Sequence, residues 1–188
     1  DRSLPFDVSS VLVHRLDKDT TGVLLVAKTP TDHVFYQSQF SNRTISKQYL
    51  ALAFGTLHPP AAIIDAPIGR HGTARTKMSV HHAVHGRSAI TVYRTLASTP
   101  QASLLLLDLH TGRTHQIRVH MAHCGHPLVG DSLYAGPMNM GIDLQALHAF
   151  RLSFEHPVTG VPLSFAAPLP KDMVDLLASL ALKRPESS

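Results

Sequence analysis

Two apolar stretches, residues 89–94 and 103–110, limit the possible folds more than any other part of the chain. Thr99-Pro100-Gln101 lies between them, so they read as the arms of an antiparallel hairpin. The second arm runs without a linker into residues 111–125. There Ile117, Met121 and Cys124 recur at i, i+4 and i+7, Thr114 offers an N-cap and Gly125 a C′ residue. A hairpin feeding directly into a helix must bury both faces against further elements, and the remaining segments supply them.

Residues 11–13 and 23–28 are short apolar runs that read as strands around a polar loop. Pro30 and Thr31 mark a helix start, with Val34, Phe35, Gln39 and Phe40 as its apolar face and an end near Ser41-Asn42. Residues 45–55 alternate. Leu50, Leu52 and Phe54 form a core face, opposite Lys47, Tyr49, Ala51 and Ala53. That second face places Tyr49 toward a cleft or mixed layer; the alternative is an ordinary packed strand tyrosine with a wet hydroxyl. Residues 63–68 form an edge-like strand limited by Pro67, and 130–141 a long loop. A second hairpin pairs 145–154 with 161–166. Pro170, as the first helical residue, opens a helix over 171–183, with Met173, Leu176, Leu177 and Leu180 on one face. Mostly hairpins with a few helices make an α+β class, and 188 residues suit one domain over 1–188.

Charge and composition narrow the function. Lys+Arg exceed Asp+Glu by 17 to 13, with 14 histidines besides, which favours an anionic partner. Residues 69–77 are a Gly/Thr loop carrying Arg70, Arg75 and Lys77, suited to phosphate contacts or simply to solubility. Cys124, the single cysteine, excludes an internal disulfide and a cysteine-only zinc site. His120, His123 and His126 recur every third residue and His81-His82-His85 cluster, yet no H-E-x-x-H or carboxylate pattern accompanies them, so no metal is expected. No G-x-S-x-G, Walker or dinucleotide loop is present, so no cofactor is expected either. No apolar run approaches membrane-spanning length, no signal peptide is visible, and the cytoplasm is the default expectation.

The loop His14-Arg15-Leu16-Asp17-Lys18-Asp19-Thr20-Thr21-Gly22 holds an acid between two apolar flanks. Either Asp17 closes an Asx-turn, or the loop presents it as a reactive group. With Tyr49 on a strand and Arg118 on a helix, an acid, a phenol and a cation stand on three separate elements. A buried carboxylate that acts as a nucleophile needs a positive partner, and arginine supplies a permanent planar one.

Three segments, residues 14–22, Lys47-Gln48-Tyr49-Leu50-Ala51 and residues 112–120, resemble the signature motifs of the RluA-type pseudouridine synthases, in the family's order. Arg75-Thr76-Lys77-Met78-Ser79-Val80, His126-Pro127-Leu128-Val129-Gly130-Asp131 and Gln145-Ala146-Leu147-His148-Ala149 resemble the RluD branch in particular. The resemblance implies a mixed, mostly antiparallel central sheet with flanking helices and an RNA-binding cleft. It implies isomerisation of uridine to pseudouridine in structured RNA, with large-subunit ribosomal RNA foremost. A tRNA-modifying enzyme and a non-catalytic RNA-binding or chaperone module stand as alternatives. Asp17 matches the nucleophile, Tyr49 the residue that stacks on the target base and assists proton removal, and Arg118 the aspartate's basic partner. Arg15 matches the side chain that fills the space left by the everted base. His14, Thr20, Lys47, Arg113, His115 and Gln116, with Arg70, Arg75 and Lys77, are the expected RNA contacts, and a monomer is expected. Thr21 stands where many members have Ser, keeping the hydroxyl. The strands that usually precede the aspartate motif, and an S4-type RNA-binding domain before them, are expected to be lacking from these 188 residues.

Overall fold

The computed structural model describes residues 11–74, 76–81 and 86–183. The elements run β1 (Thr21–Gly22), α1 (Pro30–Asn42), β2 (Ser46–Phe54), β3 (Ala61–Asp65), β4 (Ile68–Arg70), β5 (Met78–Val80), β6 (Ile90–Ser98) and β7 (Ala102–Leu109). Then follow α2 (Gln116–His123), a 3-10 turn (Ser132–Tyr134), β8 (Leu147–Glu155), β9 (Pro162–Ala166) and α3 (Lys171–Ser179). Seven strands form one sheet in the order β1-β8-β2-β7-β6-β3, with β9 also on β8, while β4 and β5 make a separate ribbon. Every described pairing is antiparallel except β1 on β8. The fold is thus the mixed, mostly antiparallel α+β sheet expected.

Both faces of the sheet are covered, which explains the unbroken leucines of β7. Leu50, Leu52 and Leu104 pack against Met173, Leu176 and Leu177 of α3. Ala51, Ala53, Leu105 and Leu107 pack with Ile117 and Met121 of α2. A strand buried on both sides reads as a continuous apolar run, not as an alternating one. Hence Ala51 and Ala53 are as fully buried as Leu50 and Leu52, whereas Phe54, placed in the core by alternation, is half exposed at the strand's end.

Several expectations need correction. Residues 11–13 and 23–28 are not strands; their backbones pair at the Leu12–Val26 bridge, and Val13 packs with Val23, Leu25 and Ala27. The outer edge of β8 is shared, since β9 occupies Arg151 to Glu155 and leaves only His148 and Ala149 for β1. Helix α1 keeps its predicted bounds, but Val34 is exposed, and the buried pair is Tyr36 and Gln39. Tyr36 packs edge-on to Phe154, and the Gln39 amide exchanges two hydrogen bonds with the Glu155 backbone, at 3.0 and 2.9 Å. Thr114 does not cap α2. His115 stands there with φ 54°, and the Gln116 side chain accepts the Arg113 amide instead. Cys124 is exposed at the C-cap, outside the buried stripe. Pro170 is the N-cap of α3, not its first residue, and the helix stops at Ser179. Ala181 then adopts φ 53°, and Leu182 turns back into the core.

Candidate active site

The loop carrying Asp17 is held by three attachments. At β1, Gly22 adopts φ +118° and lies so close to β8 that a Cβ would sit 2.2 Å from the Ala149 carbonyl oxygen. Thr21 donates its hydroxyl to His148 Nδ1 at 2.8 Å, because His148 Nε2 must carry the proton it gives to the Ala167 carbonyl. This is the use found for the hydroxyl that Thr21 keeps. The Gln145 amide donates to the Lys18 carbonyl at 2.6 Å. Gly22→Ala should therefore lower the thermal midpoint by roughly 4–8 °C, about 2 kcal/mol of strain, measured by circular dichroism.

The turn within the loop closes through the backbone: the Thr20 amide donates to the Asp17 carbonyl oxygen at 3.0 Å. That arrangement replaces the Asx-turn alternative and leaves the Asp17 carboxylate for other partners. Arg118 Nη1 stands 3.9 Å from Asp17 Oδ2. The tighter partner of Arg118 is Asp131, which accepts Nε at 2.7 Å and Nη2 at 2.8 Å. The Tyr134 ring lies 5.2 Å from the guanidinium carbon, and the Asp131 carboxylate also accepts the Tyr134 amide. Burial alone would push the Arg118 pKa down. The hydrogen bonds and charge of Asp131, then the charge of Asp17, outweigh it and raise the pKa. By formal charge the group of Arg118, Asp131 and Asp17 carries one net negative charge. Asp131 is fully buried, and Asp17 lines a cavity.

That cavity has a volume of about 370 Å³, within the range of small-ligand pockets. Asp17, Tyr49, His14, Arg15, Thr20, Lys47, Arg113 and Gln116 all contribute to its wall; Arg118 and His115 do not line it. Burial, then the Asp17 charge, pushes the Tyr49 phenol up to about 12, so it is neutral near pH 7. Burial, then Lys47, pushes His14 down from 6.5 to about 4. Its Nε2 accepts the Leu25 amide at 2.8 Å, and its ring stacks on Phe40.

The unfolded chain takes up a proton at His14 that the folded chain refuses. This stabilisation is complete above pH 6.5 and is lost as pH falls toward 4. His120 and His148 are lowered by burial in the same sense. Urea midpoints should accordingly fall between pH 7 and pH 4.5, and His14→Asn should show the smaller fall.

The other expected contacts divide. Gln116 has nothing left to offer RNA. Its amide donates to the Ile90 carbonyl and Thr91 Oγ1, and its oxygen accepts from Thr111 Oγ1 and the Arg113 amide. It braces the strand-to-helix turn, a role that outranks a surface contact because every polar atom is already satisfied. His115 pairs with the Tyr134 hydroxyl at 2.8 Å, and burial lowers its pKa first. Arg70 ends β4 and Lys77 precedes β5, and neither lines this cavity; Arg75 lies outside the described residues. Of the histidines, His120 is fully buried with both ring nitrogens bonded, to Thr91 and the Ala66 carbonyl. His82 and His85 lie outside the described residues, among which no group of three or more potential metal ligands occurs. Sequence reading gave no role to Asp131 or Tyr134, although Asp131 ends the His126–Asp131 segment that resembles the RluD branch and stands three residues before Tyr134 in a Gly-rich loop.

Comparison with known proteins meets this geometry. A model of the RNA pseudouridylate synthase family matches residues 7–123. The chain is 46% identical over 182 residues to the ribosomal large subunit pseudouridine synthase D of Vibrio cholerae, covering 90% of this chain and 55% of that one. The protein of the same name from Haemophilus influenzae is 44% identical with the same coverage. The chain thus spans about half the length of the curated relatives it matches. Among solved structures, human RNA pseudouridylate synthase domain containing 4 superposes with a TM-score of 0.79 at 28% identity, covering 94% of this chain and 77% of that one. Human RNA pseudouridylate synthase domain containing 1 gives 0.73 at 26%, covering 94% and 82%. With motif order, sheet topology and family model in agreement, the chain belongs to the RNA pseudouridylate synthases, as an RluA-type member of the RluD-like branch.

Proposed function

We propose that this chain converts uridine to pseudouridine in structured RNA, with large-subunit ribosomal RNA as its substrate. The observation that carries the reading is Asp17: a carboxylate on a nucleoside-sized cavity, 3.9 Å from a guanidinium that Asp131 holds from behind. A binding module for a polyanion has no use for an acid there. An isomerase does, because the bond between uracil N1 and ribose C1′ must break.

In this reading Asp17 adds to the everted nucleoside, at ribose C1′ or at uracil C6. The bond between N1 and C1′ breaks, the uracil turns, C5 forms the new bond to C1′, and the Asp17 carboxylate is released from the carbon it had joined. The C5 proton leaves and N1 gains one, so atoms balance without an oxidant, a metal or an organic cofactor. Tyr49 offers its ring for stacking on the base, while its neutral phenol places the C5 proton near a hydroxyl oxygen. Arg118 offsets the charge of Asp17. Arg15, exposed at the mouth, replaces the everted base in the RNA stack, and His14, Thr20, Lys47, Arg113 and His115 shape or charge the approach. Arg70, Arg75 and Lys77 are assigned to backbone phosphates. The protein works on RNA as a monomer in the cytoplasm. Mapping pseudouridines in total RNA from cells with and without the full-length protein tests the assignment. Loss of a large-subunit site supports it; loss confined to tRNA moves the substrate, and no loss at all contradicts it.

A further inference from the structure

A second and larger groove, of about 690 Å³, adjoins the Asp17 cavity. The two share Lys47 and Arg113 in their walls, so a strand leaving one passes directly into the other. We propose that this groove seats the ribose–phosphate backbone of the RNA strand flanking the target nucleotide, with Arg43, Lys47, Arg87 and Arg113 as its phosphate contacts. The inference rests on RNA being the substrate, as argued above.

Four cations arrive from separate places: Arg43 at the C-cap of α1, Lys47 on β2, Arg87 beside the Ile68 bridge and Arg113 after β7. One carboxylate, Asp108, shares the wall, and it is occupied by the Gln48 amide at 3.0 Å. Burial, then Arg113 and Arg43, lowers Lys47; burial, then Arg87 and Arg43, lowers Arg113. Four cations against one carboxylate leave the groove with three net positive charges, a crowding that a polyanion relieves. Arg113 spends Nε on the Ser88 carbonyl at 2.9 Å. The Arg43 and Arg87 side chains are exposed and make no hydrogen bond or ion pair with the described residues, so the fold holds both through their backbones alone. Four cations against one phenylalanine already stacked on His14, with His110 the groove's other ring, favour phosphates over bases as the groove's occupants.

The test is the salt dependence of binding to an in vitro transcript of large-subunit ribosomal RNA. For the Arg43→Gln/Arg87→Gln double variant the slope of log Kd against log salt should shrink by about 1.4, two phosphates at about 0.7 each, with affinity at low salt falling about tenfold. Lys171→Gln, on α3 and paired there with Asp175, should leave slope and affinity unchanged. A double variant with the wild-type slope and Kd overturns the groove, as does an equal change in Lys171→Gln. Failure of the underlying reading looks different: wild-type protein then binds the transcript without turning uridine over, while the slopes still decide the groove.

Discussion

Asp17→Asn is expected to reduce turnover by roughly four orders of magnitude or more while leaving the RNA dissociation constant within about threefold of wild type. The replacement is nearly isosteric, and the turn it sits in closes through the Asp17 carbonyl, not the side chain, so the loop should keep its shape. Removing a negative charge from a basic surface can only hold or tighten RNA binding. Single-turnover product analysis and filter binding measure the two quantities separately. Equal losses in both would make Asp17 a structural residue.

Asp131→Ala should be the most destabilising single change near the site, by about 3–5 kcal/mol, because it leaves a buried guanidinium without its bidentate partner. Asp17 cannot compensate fully: it stands 3.9 Å away and faces a cavity open to water. Urea denaturation measures the loss, and a change under about 1 kcal/mol would show that Arg118 does not depend on Asp131. The double variant Arg118→Met/Asp131→Leu separates stability from chemistry. Replacing a whole buried ion pair by apolar groups is often neutral, so stability should recover substantially. Turnover should not, since Asp17 then loses its cation.

The sequence already contained much of the architecture, where local pattern and tertiary environment agree. The 99–101 turn between two apolar runs became the β6–β7 hairpin, and the segment after residue 145 became β8 and β9. Pro30 and Asn42 bound α1 as read. Period-two reasoning failed on β2 because helices cover both faces of the sheet, which no alternation within one strand reveals. The runs at 11–13 and 23–28 had strand composition but too little free edge on β8 to become strands. At the site, Asp17, Tyr49 and Arg118 stood out as chemistry on three elements. Asp131 did not, because its partner lies 13 residues earlier, on a helix whose first-turn arginine would ordinarily face solvent. Gln116 was misread for the complementary reason: its buried network joins residues from β6, the turn and α2.

The most direct test of the account is tritium release from ribosomal RNA labelled at uridine C5. Isomerisation joins C5 to the ribose and must expel its hydrogen, so the protein should release one tritium into water for each modified site, and Asp17→Asn none above background. Saturable binding of the same RNA by the wild-type protein, with all tritium retained, would contradict it.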